Sequence, residues 1–251
     1  MQIKKYHFGP AVFSFITEIP LHTAEMYERF RTDDNANPDF IVEIVPLPES
    51  VPYGIREPIQ IAFFENRITA AMNRNVISDL TVGRLMYLIH AANLFPQKDA
   101  FVLHASYIVR DGRALLFSAP SGTGKSTQAD LWNTYRGCEI VNSDRVIISR
   151  EKGQFFANGA FISGSSGICR NVTVPLGNIV LLEQASRCAV KSLSVPKRLE
   201  RLLCESSFDR YDPLQYVKML DLVSDILNKI PVICYGCTKG LEAVELLENY
   251  L

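Results

Sequence analysis

Ala114-Leu115-Leu116-Phe117-Ser118-Ala119-Pro120-Ser121-Gly122-Thr123-Gly124-Lys125-Ser126-Thr127-Gln128-Ala129-Asp130-Leu131-Trp132 is the stretch from which the rest of the chain is read. It has three parts. Ala114 to Phe117 is an apolar, strand-sized run. Ala119 to Ser126 fits the eight-residue pattern of a phosphate-binding loop, with Ala119 where the first glycine stands. Thr127 to Trp132 suits a helix. The pattern requires a strand, a loop and a helix in that order. Gly122 and Gly124 permit positive φ and a close approach of backbone to an anion. Successive amides from Ser121 to Thr127 then form a nest at a helix N-terminus. Lys125 adds a full positive charge for the β- and γ-phosphates, and the Ser126 hydroxyl suits Mg²⁺. The competing reading is a fortuitous glycine-rich turn, and the flanking strand and helix speak against it.

Upstream, Phe101 to Val109 reads as a strand that Asp111-Gly112 turns back into Ala114 to Ser118, giving a hairpin. Before it, Leu80, Leu85, Leu88, Ile89 and Ala92 fall near helical spacing behind the capping pair Ser78-Asp79, and this helix is expected to end before Pro96. Farther upstream, Ala11 to Ile16, Phe40 to Val45 and Ile59 to Phe64 read as strands, with Pro46, Pro48, Pro52 and Pro58 interrupting the last connection. Downstream, strands are expected at Glu139 to Asn142, Val146 to Ser149, Asn178 to Glu183 and Val232 to Cys237. Helices are expected at Pro196 to Ser206, Pro213 to Asn228 and Leu241 to Tyr250. Strands and helices alternate after residue 100, so the class is α/β or mixed α+β. The expected division is a β-rich N-terminal region of unassigned role over 1–95 and a nucleotide-binding domain over 96–251.

Composition narrows the functional classes. The chain has 251 residues, 47% of them apolar, enough for one large or two small cores. Its formal net charge of −1 lacks the basic excess of a dedicated nucleic-acid binder. No apolar run reaches the ~18 residues of a membrane helix, and the first residues lack a signal-peptide stretch, so a cytoplasmic protein with reduced thiols is expected. Cys234-Tyr235-Gly236-Cys237 lies on the expected last strand with no second ligand pair beside it, and reads as buried thiols rather than zinc ligands.

The neighbours of the loop carry a resemblance. Leu103-His104-Ala105-Ser106 precedes it, Asn142-Ser143-Asp144-Arg145 follows its helix, and Asn171-Val172-Thr173-Val174-Pro175-Leu176 leads into Ile179-Val180-Leu181-Leu182-Glu183-Gln184. With Ser121 to Thr127, these segments resemble the HPr kinase/phosphorylase family and its small kinase-like relatives, which share a nucleotide-binding core with ATP-dependent phosphoenolpyruvate carboxykinase. The resemblance spans roughly residues 100–250 and leaves the N-terminal third unmatched. It implies a phosphate-loop kinase core, ATP and Mg²⁺. It also implies that Lys125 and the amides of Ser121, Gly122, Thr123, Gly124, Ser126 and Thr127 hold the phosphates. Ser126 and Asp144 would bind the metal, and His104 would stand near the transferred phosphoryl group. Asp144 matches the second residue of a family Asp-Asp pair. Ser143 stands where the first would be, which leaves the general base open.

Other readings compete at single residues. Asp144 also reads as a turn residue capping local amides. Glu183, ending an apolar strand, resembles the acidic residue of ordinary phosphate-loop NTPases. His104 taken alone is a core or surface histidine, although a neutral imidazole can take a hydroxyl proton at pH 7. His7, His22 and His90 lack such a setting, and His90 falls on the expected helix. Arg145 and Arg170 can neutralise transition-state charge or simply be solvated. Gly164 to Gly167 can close over a substrate or merely connect. Lys197, Arg198 and Arg201 read as a solvated helix face. The expected function is transfer of the ATP γ-phosphoryl group to a hydroxyl, on a serine of a small protein or peptide or on a small molecule. No nucleic-acid or membrane partner is expected, and a homo-oligomer stays open. The alternatives are an ATPase or GTPase, for which Glu183 matters most, and a non-catalytic nucleotide sensor, which the Ser143 replacement keeps alive.

Overall fold

The structure, a computed structural model, describes residues 1–22, 25–47 and 59–251. Pro48, Pro52 and Pro58 lie outside them. The chain divides into two compact units, Met1–Ala91 and Ala92–Leu251. The class is mixed α/β, with one sheet described in each unit.

In the first unit, β1 (Gln2–Phe8), β2 (Ala11–Thr17), β3 (Phe40–Pro46), β4 (Gln60–Phe64) and β5 (Arg67–Met72) form a sheet in the order β1-β2-β3-β5-β4. A short α1 (Glu25–Glu28), α2 (Arg74–Ser78) and α3 (Val82–Leu88) accompany it. Alternate positions of β1 and β2 bury Tyr6, Phe8, Phe13 and Phe15, which pack with Phe30 and Phe40 as an aromatic core. The helix expected from Leu80 to Ala92 is broken into pieces. Thr81, not the Ser78-Asp79 pair, caps α3 by accepting from the Arg84 amide. His90 then takes a left-handed φ of 49°, outside the helix. A 3-10 segment, Ala91–Lys98, runs through Pro96, a residue expected to lie beyond the helix.

The second unit is a sheet covered on both faces. Its strands are β6 (Ala100–Arg110), β7 (Arg113–Ser118), β8 (Glu139–Asn142), β9 (Arg145–Glu151), β10 (Gln154–Gly159), β11 (Thr173–Gln184), β12 (Ala189–Lys191), β13 (Ser206–Ser207) and β14 (Val232–Cys237). They run β10-β9-β6-β7-β11-β14-β12, with β8 and β13 also paired to β6. The helices are α4 (Lys125–Arg136), α5 (Val195–Glu205), α6 (Pro213–Lys229) and α7 (Leu241–Glu248). β6 and β7 form the expected hairpin, whereas β7, β11 and β14 are mutually parallel.

The period of two along each strand sorts its residues to opposite faces. Leu116, Ile179 and Leu181 face one core with Leu202 of α5 and Met219, Leu222 and Ile226 of α6. Leu115, Phe117, Val180 and Leu182 face the other, with Ala129 and Trp132 of α4 and Val244 and Leu247 of α7. Parallel strands buried on both faces are the arrangement such apolar runs require. Their C-terminal ends open onto the loop between β7 and α4, where ligands bind in sheets of this kind.

Candidate functional site

The loop leaves β7 at Ser118 and enters α4 at Lys125. Gly122 and Gly124 have φ of 78° and 113°, and a Cβ at either position would meet nothing within 4 Å. Glycine is therefore required by backbone angle, not by crowding. Gly124 is the N-cap of α4 and supplies no side-chain acceptor, while its carbonyl accepts from the Gln128 amide. The first-turn amides thus lack the cap that Ser, Asp or Asn would give, and they keep their donors for an anion at the positive end of the helix dipole. A turn from Thr123 N to the Pro120 carbonyl and a bond from Gln184 Nε2 to the Gly122 carbonyl at 3.0 Å fix the loop's outer wall.

Lys125 is buried, with 6% of its surface exposed, and donates from Nζ to the Ala119 carbonyl at 2.8 Å and the Pro120 carbonyl at 3.2 Å. Burial pulls the Lys125 pKa down, and Glu205 and Asp144 push back towards the charged form. An anion seated in the loop would compete for the same ammonium donors.

Ser126 Oγ donates to the Ser143 carbonyl at 3.3 Å, and Ser106 Oγ donates to the same oxygen at 2.9 Å. That carbonyl ties the start of α4 and strand β6 to the turn between β8 and β9. Asn142 shapes the turn, accepting at Oδ1 from the Asp144 and Arg145 amides and donating from Nδ2 to the Ile162 carbonyl. The capping role considered for Asp144 belongs to Asn142, and the Asp144 carboxylate is free of that task. It lies 3.4 Å from His104 Nε2 and 3.6 Å from Arg145 Nη1. His104 beside it, a donor to the carboxylate when its ring is charged, holds the Asp144 pKa below the usual carboxyl range, against the opposing push of burial. Gly164 packs directly on it, since a Cβ there would stand 2.9 Å from the Asp144 Cβ.

His104 is held from both sides. Its Nδ1 lies 2.9 Å from Glu205 Oε2, and its Nε2 faces Asp144. Glu205 was not foreseen from sequence, where it is one more acidic residue near a helix end. The signal lay in pairing. β13 is antiparallel to β6 with Ser206 opposite Leu103, so the preceding residue, Glu205, falls opposite His104.

On the other side of β7, Glu183 is neutralised. Lys191 Nζ lies 2.5 Å and Arg201 Nη1 2.8 Å from its carboxylate, and the Lys191 hydrogen bond leads in holding its pKa low. Arg201 also donates to the Leu182 carbonyl, and Arg198 to the Val232 carbonyl. The solvated face expected of α5 is therefore corrected: Lys197 pairs outward with Glu200, but Arg198 and Arg201 reach the sheet. Arg170 pairs with Glu139, both about half exposed. A cavity of about 540 Å³ opens between Pro120, Ser121, Gly122 and Thr123 of the loop and Leu182, Glu183, Gln184 and Arg201.

Among the described residues no three His, Cys, Asp or Glu side chains converge as a metal cage. Ser126 and Asp144 offer one hydroxyl and one carboxylate. That small oxygen set is what Mg²⁺ takes from protein when phosphates and water complete its octahedron. Cys234 and Cys237 are buried free thiols, and burial pushes Cys237 up to about 11.

No family model matches this chain, and no curated protein matches it. Among solved structures it is similar to the HPr(Ser) kinase/phosphatase from Coxiella burnetii, at 15% identity and a TM-score of 0.36, over 59% of this chain and 94% of that one. At that score the likeness carries no weight for chemistry. No helix among the described residues is long and apolar enough to cross a membrane.

Proposed function

We propose that this chain is an ATP-dependent phosphotransferase that moves the γ-phosphoryl group to a hydroxyl, on a serine of a small protein or peptide or on a small hydroxylated molecule. The observation that carries the reading is the cluster of Lys125, Ser126, His104 and Asp144 around the uncapped start of α4. Phosphoryl transfer asks for positioning and charge neutralisation more than covalent chemistry, and these four groups supply both. The loop amides and Lys125 would hold the β- and γ-phosphates in place. Ser126 and Asp144 would hold Mg²⁺, whose charge offsets that of the phosphates. His104 would orient the attacking hydroxyl and take its proton. Arg145, 3.6 Å from Asp144 at Nη1, keeps the carboxylate aimed and adds positive charge.

The hydrolase alternative leans on Glu183, and that carboxylate is already bound by Lys191 and Arg201. The phosphotransferase reading is therefore favoured. It is tested by incubating the protein with γ-labelled ATP and Mg²⁺ against serine, small hydroxy compounds and small proteins. Label on one acceptor supports the reading. Free phosphate alone identifies a hydrolase, and tight ATP binding without either product, across acceptors of all three kinds, identifies a sensor.

A further inference from the structure

We infer that Glu205 is a positioning residue: it holds the neutral His104 imidazole as the Nδ1–H tautomer and leaves the Nε2 lone pair facing the Asp144 side of the site. A neutral imidazole has one N–H, and its place is set by the better acceptor. The Glu205 oxygen lies 2.9 Å from Nδ1, at the centre of the hydrogen-bond range, whereas the Asp144 oxygen lies 3.4 Å from Nε2, beyond its usual limit. Nδ1 keeps the hydrogen. Nε2 is then a hydrogen-bond acceptor for an incoming hydroxyl.

Glu205 is held where it is by several independent contacts. It is the last residue of α5, and the pairing of Ser206 and Ser207 with Leu103 and Val102 docks it onto β6. Ser206 Oγ bonds back to the Leu202 carbonyl, and Arg210 Nη2 gathers the Leu203, Cys204 and Ser206 carbonyls. A carboxylate at a helix C-terminus faces the negative end of the helix dipole, an unfavourable place. Glu205 nevertheless sits there with its side chain only 14% exposed, against a His104 that is 17% exposed. The charged groups around the ring are Glu205 from α5, Asp144 and Arg145 from the turn into β9, and Lys125 from α4, which is coupled electrostatically to both carboxylates. Glu205 brings a second carboxylate to the site from a different element, on the opposite edge of the imidazole from Asp144.

The role of Glu205 in turnover rests on the phosphotransfer reading, but its effect on the tautomer does not. The test is ¹⁵N NMR of the His104 ring nitrogens at about pH 9, above the ordinary imidazole range, in wild type, Glu205→Leu and Glu205→Gln. Wild type should show a protonated Nδ1 and an unprotonated Nε2. Glu205→Leu, which removes the acceptor, should lose that pattern, and Glu205→Gln, which keeps a carbonyl of the same reach, should retain it. An unchanged tautomer in Glu205→Leu overturns the proposal, as does an equal loss in both variants. If wild type transfers phosphate, Glu205→Leu should lower kcat about 100-fold, within the span of positioned acid–base groups, with KM for ATP unchanged. A kcat that holds while the tautomer changes overturns the role in turnover. A wild type with no phosphotransfer sinks the functional reading and leaves the NMR result to decide the tautomer.

Discussion

Asp144 and Glu183 lie on opposite sides of the loop strand, Asp144 on the β6 side and Glu183 on the β11 side. Both carboxyls are held below their ordinary pKa range, for different reasons. Glu183 is clamped between Lys191 and Arg201. Asp144 leans on a histidine, with Arg145 at 3.6 Å and the loop lysine coupled to it. A carboxylate bound by two full cations has little charge left for a ligand. One beside an imidazole and an uncapped helix start keeps its charge for use. The two sides of one loop thus divide the labour, one bracing the sheet end and the other carrying the candidate chemistry.

The largest effect that could break this contrast is on turnover. Asp144→Asn keeps size and removes charge, and should lower phosphotransfer by about 10²–10³-fold, the scale of losing one preorganised electrostatic group. ATP affinity measured by calorimetry should change far less, because Lys125 and the amides remain. Next in size is Gly164→Ala. The new Cβ would press on the Asp144 Cβ at 2.9 Å, at a φ of 59° that alanine resists. A loss of turnover of about tenfold is expected, the scale of roughly 1.4 kcal/mol, and the same change at Gly167, where nothing stands within 4 Å, should cost less activity.

The third effect is on acid stability. A carboxyl depressed in the folded state adds stability above its unfolded pKa, about 3.9 for Asp, and loses it as pH falls through the lower folded value. The melting temperature of wild type should therefore drop more steeply below about pH 4 than that of Asp144→Asn. The smallest effect is that of Glu183→Gln. Partly exposed ion pairs contribute about 0–1 kcal/mol, so this variant should melt slightly lower and retain turnover within about threefold, in contrast to Asp144→Asn.

Much of the second unit is legible in sequence because its signals are local. Asp111-Gly112 announces the β6–β7 hairpin with a turn dipeptide, and both residues take positive φ, 49° and 71°. Lys152-Gly153 makes the same kind of turn, with φ of 49° and 80°, but lysine gives no such signal, and β10 went unread behind it. β1 and β5 were missed because their alternation is diluted by Lys4, Lys5 and Arg67. The helix through Leu80 to Ala92 failed for a different reason. Its apolar spacing suits a helix, but Thr81 starts a new cap and His90 leaves helical φ, so spacing alone overran two boundaries.

The candidate site divides in the same way. The loop residues are consecutive and legible by their own pattern, whereas His104, inside β6, and Asp144, just after β8, are suggested only by the resemblance of their flanking segments. Glu205 is far from His104 in sequence and meets it through a two-residue strand, a pairing that no periodicity encodes. Arg201 departs from the solvated face its sequence suggests for a similar reason, since its partners, Leu182 and Glu183, lie on another element, β11.

The most direct measurement is γ-phosphate transfer by wild type, Asp144→Asn and Glu183→Gln in parallel, with ATP, Mg²⁺ and the acceptor panel. Label on a hydroxyl acceptor is expected with wild type and Glu183→Gln, and a near-complete loss with Asp144→Asn. Free phosphate as the sole product, released by wild type and Asp144→Asn but not by Glu183→Gln, would contradict the phosphotransferase reading and assign the chemistry to the β11 side of the loop.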